Sequence, residues 1–319
     1  MKNLLVGGAG FIGLHLARRL LADGHDVTIV DDFSRGRVDS DLHTLVESGA
    51  TLHHADMTQE TSWSRLDPEW DAVYLLAAVV GVRNVERDPL RVIRVNTRTV
   101  LHLIDWAKPE TTVFFASTSE VYAGGVNAGL VRVPTAEDVP VLIQDIGAPR
   151  FAYAVSKVLG EAAILHATSQ GRLNGVIGRF HNVYGARMGA DHVIPEMLLR
   201  AVRGTDPFVI PGADQFRAFC HVDDAVEAVV ALMATPEAVG QIVHIGDDRS
   251  ETNIGDLARK VADVVGVRPH FAPAPSPAGS VARRQPDLSL LRSLTGFEPR
   301  VSLDEGLART WEWYRNVAQ

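Results

Sequence analysis

Cysteine is almost missing from this chain: there is one, Cys220, in 319 residues. A lone thiol cannot close an intramolecular disulfide and has no second thiol with which to build a zinc site, so a reducing, cytoplasmic setting is expected. Long apolar runs are missing too. The opening Met1-Lys2-Asn3-Leu4-Leu5-Val6 is stopped by Gly7 and Gly8, too soon for a signal-peptide core or a membrane span, and no membrane partner is expected. Surplus positive charge is also lacking, with 31 Lys and Arg against 39 Asp and Glu and a formal net charge of -8. Nucleic acid is therefore not an expected partner, because phosphate backbones are bound by surplus Lys and Arg. Any phosphate must be met locally. Repeats, low-complexity tracts and long charge runs are likewise absent.

What is present is an alternation. Short apolar runs at 3–6, 26–30, 72–77 and 112–115 read as buried strands with amphipathic stretches between them, and 175–180 and 241–245 read as later strands of one sheet. That order predicts an α/β protein with a doubly wound parallel sheet covered on both faces. Helical spacing is clearest at 11–21, where Ile12, Leu16, Leu20 and Leu21 share a face. Residues 184–212 and the Pro-rich stretch 269–286 fit the sheet poorly, with Pro273, Pro275 and Pro277 punctuating a loop, and a closing helix is expected over 303–317 after the turn at Gly296-Phe297-Glu298-Pro299. The expected division is a sheet domain at 1–178, rejoined by 213–268, and a smaller C-terminal α/β lobe for substrate at 179–212 and 269–319.

Gly7-Gly8-Ala9-Gly10-Phe11-Ile12-Gly13 stands between the first strand and the first helix. Glycines at 7, 10 and 13 let the backbone turn tightly and approach a pyrophosphate at a helix N-terminus, the signature of a Rossmann-type dinucleotide site. The next strand ends in Val30-Asp31-Asp32, where a carboxylate can accept from ribose hydroxyls and would repel a 2'-phosphate, so NAD is the expected cofactor. Asp56, beside Met57 at the end of a third strand, is a candidate for the adenine amino group or a simple turn aspartate.

Tyr153-Ala154-Val155-Ser156-Lys157 sets a phenol and an ammonium four residues apart, on one helix face. A free tyrosine titrates near pH ~10, so work as a base at neutral pH needs nearby positive charge, which Lys157 and an oxidised nicotinamide would both provide.

The whole ordered set resembles an extended short-chain dehydrogenase/reductase, the NAD-dependent epimerase/dehydratase group acting on nucleotide sugars. The residues that carry the likeness are the Gly7 to Gly13 loop, Asp31-Asp32-Phe33-Ser34, Leu76-Ala77-Ala78, Asn96, Ala116-Ser117-Thr118-Ser119-Glu120-Val121-Tyr122, Tyr153 to Lys157, Arg179-Phe180-His181-Asn182-Val183-Tyr184-Gly185, Arg217-Ala218-Phe219 and Arg284-Gln285-Pro286-Asp287. The resemblance implies that Thr118 and Tyr153 share the sugar 4-hydroxyl, that Lys157 holds the nicotinamide ribose, and that a C4 ketone is the intermediate. It implies cofactor contacts from Phe11, Ile12, Ser34, Met57, Leu76, Ala77, Ala78 and Asn96, and nucleotide-diphosphate contacts from Asn182, Arg217 and Arg284. Guanidinium groups suit that last task because they grip phosphate oxygens in pairs. A homodimer built on helices near 90–107 and 153–168 is implied as well.

The residues after Thr118 bear on the fate of the oxidised sugar. Hexose 4,6-dehydratases carry an Asp-Glu pair there, whereas Ser119-Glu120 keeps the glutamate without the acid partner, the version seen in uronate decarboxylases. Arg187, in the loop after Tyr184-Gly185-Ala186, is a candidate for a substrate carboxylate. His181, where an aromatic residue is usual, reads as a hydrogen-bonded core histidine. His221, Asp223 and Asp224 are read without a metal, the aspartates serving as helix N-caps. Epimerisation through the 4-ketone is the first expectation, on a UDP-sugar or UDP-uronate. Dehydration or UDP-glucuronate decarboxylation through Glu120 is the alternative, and a catalytically silent NAD-binding regulator the alternative of another class.

Overall fold

The computed structural model describes residues 1–276 and 279–317. Seven strands make the central sheet: β1 (Lys2–Val6), β2 (Asp26–Asp31), β3 (Thr51–His54), β4 (Ala72–Leu75), β5 (Thr112–Thr118), β6 (Asn174–Phe180) and β7 (Ile242–Ile245). All pair in parallel, in the order β7-β6-β5-β4-β1-β2-β3. The inner strands read as apolar runs because both faces are covered, whereas the edge strand β3 is mostly exposed. Leu5, Ile29, Tyr74, Phe114 and Val176 point into one core, while Leu4, Val6, Val30, Val73, Val113 and Ile177 point into the other, the period-two alternation of a strand split between two buried faces. The order reverses between β4 and β1, and there the carboxyl ends of the strands open a crevice.

The helix Phe11–Ala22 buries Leu14, Leu16, Ala17 and Leu20. Two long helices, Pro89–Trp106 and Phe151–Ser169, lie against each other over the other face. The smaller lobe has its own core, in which Tyr184, Ile194, Leu198, Phe208, Ile210, Leu257, Val261 and Leu307 meet. The closing helix runs Leu303–Val317 as expected.

Three local expectations give way. Helix Ile254–Val265 falls in the stretch assigned to the sheet domain, yet it buries Ile254, Leu257, Ala258 and Val261 in the smaller lobe; its stripe has the right spacing for any core, so the sequence does not say which. Conversely Leu288 and Leu291, of the 269–319 stretch, pack against the sheet. Pro273 sits in a strand, Phe271–Ala274, paired in parallel with Phe208–Pro211. That ribbon has two strands and so has only edges, where a missing N–H is tolerated; Pro277 lies outside the described residues. The helix Val222–Met233 is capped by His221, whose Nδ1 accepts from the Asp223 amide at 3.3 Å. Asp223 is therefore not the cap, and Asp224 instead accepts from the amides of Arg300 and Val301. Among the described residues no helix is long and apolar enough to cross a membrane, and no group of three metal-ligating side chains occurs.

Candidate active site

The glycine loop fits a dinucleotide. Gly7 has φ +85°, and a Cβ there would lie 2.6 Å from the Ala77 amide nitrogen; at Gly13 a Cβ would lie 2.6 Å from Gly8 Cα. Both positions exclude larger residues. Gly10 is the N-cap of the first helix and no side chain caps it, which leaves first-turn amides for a pyrophosphate. Asp31 is buried, accepts from the Ala9 and Phe33 amides at 3.0 and 2.8 Å, and so braces the loop against the end of β2. Asp32 is exposed and accepts from the Ser34 amide. Asp56 accepts from the amide and hydroxyl of Thr58 and from Gln59, which satisfies the turn-aspartate reading; Met57 beside it is buried. The amides of Leu76 and Ala77 both donate to Val6 O, closing the crevice floor on which Ala78 follows.

Asn96, expected at the cofactor, spends its side chain on the protein. It clamps both backbone groups of Val79 and donates to Ser156 Oγ at 3.0 Å, and Ser156 Oγ in turn donates to Tyr153 O. Its part is to hold the helix Phe151–Ser169 against the loop after β4. Arg187 is a second relocation. Its guanidinium is buried, pairs with Asp39 at 2.8 Å and donates to Ala9 O, Gly10 O and Arg37 O. Rather than waiting for a substrate carboxylate, it ties the second lobe to the glycine loop.

Thr118 ends β5, and Tyr153 and Lys157 face it from one side of the helix Phe151–Ser169. Burial raises the Tyr153 phenol above its ordinary value and Glu120 raises it further, while Arg35 and the neighbouring Thr118 hydroxyl pull the other way. Lys157 is buried, with Nζ 4.8 Å from the centre of the Phe115 ring and 5.8 Å from that of Tyr153. Burial pushes its pKa down to about 8, against the pull of Glu161, so at pH 7 it is still mostly protonated.

Two residues on, Glu120 faces guanidinium groups. Arg284 donates to it at 2.6 Å and Arg150 stands 3.9 Å away. Burial would raise the carboxyl pKa, but Arg284, then Arg150 and Arg217, hold it below the usual value. Arg217 donates to Gln215 and to backbone carbonyls at Phe216, Val281 and Ala282; burial and Arg284 push it down to about 10. Asn182 takes the left-handed backbone, φ +40°, and donates to Ala218 O, while Ser119 is buried beneath the turn. Arg150 and Arg35 were not singled out in the sequence. Arg150 carried a signal, since it precedes Tyr153 by three positions and shares its helix face. Arg35, which donates to Val80 O, carried none.

Behind the site lies a buried polar chain. Glu161 accepts a two-pronged bond from Arg179 at 2.8 and 2.7 Å and a bond from Ser117. Arg179 also donates to the Tyr122 hydroxyl, and Tyr122 meets His244 Nε2 at 2.8 Å. Burial brings the His244 pKa down to about 4, so the ring is neutral; with Nδ1 donating to the Asp287 carbonyl, Nε2 accepts from the Tyr122 hydroxyl. His181 meets His244 edge-on, with ring centres 4.5 Å apart and the planes 69° to each other. The expectation of a hydrogen-bonded core histidine holds only for burial, because neither ring nitrogen of His181 has a partner. An orphaned buried polar group costs about 1–3 kcal/mol. His181→Phe should therefore keep or raise the melting temperature; a fall equivalent to more than about 2 kcal/mol would mean the ring has a partner the geometry does not show.

Glycine cradle, acidic strand end, Thr-Tyr-Lys group and arginine cluster on this sheet define an NAD-dependent Rossmann enzyme of nucleotide-sugar chemistry. Residues 3–246 match the NAD dependent epimerase/dehydratase family, and the chain belongs to it. It is 33% identical over 328 residues to the UDP-N-acetyl-alpha-D-glucosaminuronate decarboxylase of Bacillus cytotoxicus, covering 99% of this chain and 98% of the relative. It is 33% identical over 333 residues to the UDP-glucose 4-epimerase of Mycolicibacterium smegmatis, covering both chains fully. The UDP-glucose 4-epimerase of Thermotoga maritima, solved with UDP-glucose, superposes with a TM-score of 0.87 at 27% identity over 100% of both chains.

Proposed function

We propose that the chain oxidises the C4 hydroxyl of a UDP-linked hexuronate, releases its carboxyl carbon as CO2 and re-reduces the product. The observation that carries this is the Glu120–Arg284 pair, with Arg150 beside it, next to Thr118 and Tyr153. A 4-epimerase has to let its sugar turn over and needs no charge beside C5, whereas a uronate needs cations for its carboxylate and a proton for C5. The relative from B. cytotoxicus supports the same reading by its name. NAD, when bound, supplies the hydride acceptor and returns the hydride at the end. Tyr153 takes the C4 hydroxyl proton while Thr118 fixes that hydroxyl. The resulting ketone is β to the carboxylate, so the C5–C6 bond breaks, its electron pair moves to the ketone oxygen and CO2 leaves. A proton then reaches C5 from the Glu120 side, and Tyr153 returns its own when the ketone is reduced.

Purified protein with NAD should convert UDP-glucuronate or its 2-acetamido counterpart to a product lighter by CO2. An unchanged mass with an altered sugar NMR spectrum would favour the second reading, 4-epimerisation, which the likeness to the two epimerases supports. Recovery of unaltered sugar from every candidate would favour a silent regulator.

A homodimer and a cytoplasmic setting belong to the same proposal. Leu90, Ile93 and Leu101 are exposed on one of the two packed helices and Leu159 on the other, an apolar face that a second copy would cover; Cys220, free and buried, suits a reducing compartment. Light scattering should give twice the 34.6 kDa of the chain, and Leu90→Lys with Leu159→Lys should return it to one.

A further inference from the structure

We infer that seating of an anionic sugar loads a proton onto Glu120: the sugar carboxylate joins Arg150, the diphosphate draws on Arg217 and Arg284, and Glu120 becomes the neutral acid. This rests on the decarboxylase reading and adds to it where the consumed proton enters.

The groups facing Glu120 set the charge balance. Arg284 comes from the short strand Arg283–Arg284, Arg150 from the residue before the catalytic helix, Arg217 from the strand Phe216–Ala218, and the Tyr153 phenol from the helix itself; the Glu120 amide donates to Thr118 Oγ1. Among the described residues, three guanidinium groups thus act on the Glu120 carboxylate. A nucleotide diphosphate carrying a neutral hexose brings two negative charges, which neutralises the cluster with Glu120 ionised. A hexuronate brings three, and the cluster is neutral only when Glu120 holds a proton. Two carboxylates in one site push the proton affinity of one of them upward, and diverting Arg284 to phosphate removes the contact that now keeps Glu120 ionised. Water can supply the proton, since 36% of the Glu120 side chain is exposed.

The atoms require it as well. Conversion of a carboxylate to C–H and CO2 consumes one proton per turnover. In this scheme Glu120 takes that proton from solvent as substrate binds, gives it to C5 once the C5–C6 bond has broken, and is left as the carboxylate that Arg284 recaptures when product leaves.

The test uses the Tyr153→Phe chain with NAD, which holds the substrate unoxidised. Calorimetric titration in buffers of different ionisation enthalpy should show about one proton taken up per UDP-glucuronate bound near neutral pH and almost none for UDP-glucose. Adding Glu120→Gln should abolish the uptake. Equal uptake for both ligands, or uptake that survives Glu120→Gln, overturns the inference. Should the doubly substituted chain not fold, the pH dependence of binding to Tyr153→Phe decides: UDP-glucuronate should weaken up to tenfold per pH unit as pH rises through neutrality, while UDP-glucose stays flat. Failure of the unsubstituted enzyme to release CO2 from any uronate overturns the decarboxylase reading instead, and release of CO2 without proton uptake overturns only the inference.

Discussion

Replacement of Tyr153 by Phe is expected to lower kcat by roughly 10²–10⁴-fold, the usual worth of a positioned acid–base group, with NAD binding and melting temperature little changed. The phenol is the group in contact with Thr118 at the end of β5, and its pKa lies above the ordinary value because it is buried and Glu120 is near. Positive charge is what brings it into use. Arg35 already acts in that direction, the Lys157 ammonium lies 5.8 Å from the centre of the ring, and an oxidised nicotinamide adds a further cation. Phenylalanine keeps the ring, and with it the packing between the helix and the loop after β4, but leaves the C4 hydroxyl proton with no acceptor. The check is the rate of nicotinamide reduction in a single turnover. A loss below tenfold would remove Tyr153 from the chemistry.

Legibility in the sequence followed distance along the chain. The glycine loop and the Tyr153–Lys157 pair could be read because strand, turn and helix enforce their geometry within a few residues, and the sheet could be read because buried parallel strands leave unbroken apolar runs. The contact between Glu120 and Arg284 joins positions 164 apart, and no local period announces it; only the family likeness placed both residues near the substrate. Arg187 shows the opposite failure. A loop arginine near a substrate looks like a ligand, but the three carbonyls and the carboxylate that absorb its donors come from the turn after β1 and the loop after β2, which sequence spacing does not bring to it. Asn96 is expected at the cofactor, and its partners Val79 and Ser156 carry no signal in the sequence, because a buried amide satisfies itself on whatever polar groups are nearest.

Arg179→Leu is the substitution expected to cost most in stability, about 3–5 kcal/mol, as for any buried pair broken from one side. Arg179 lies on β6 and Glu161 on the helix Phe151–Ser169, one turn beyond Lys157, with side chains only 4% and 5% exposed. Leucine would leave the Glu161 carboxylate with Ser117 as its remaining hydrogen-bond partner among those described, and would take the Arg179 donor from the Tyr122 hydroxyl. Tyr122 follows Glu120 by two residues, so the damage would reach the turn Ser119–Tyr122 as well as the core. Removing both charges, with Glu161→Leu added, should recover part of the loss, because an apolar pair of similar volume has no stranded ion to desolvate. Denaturant unfolding of the two single variants and the double variant gives the comparison. If the double variant is no more stable than Arg179→Leu alone, the cost comes from packing and the Tyr122 contact, and the pair is not what holds the helix to β6.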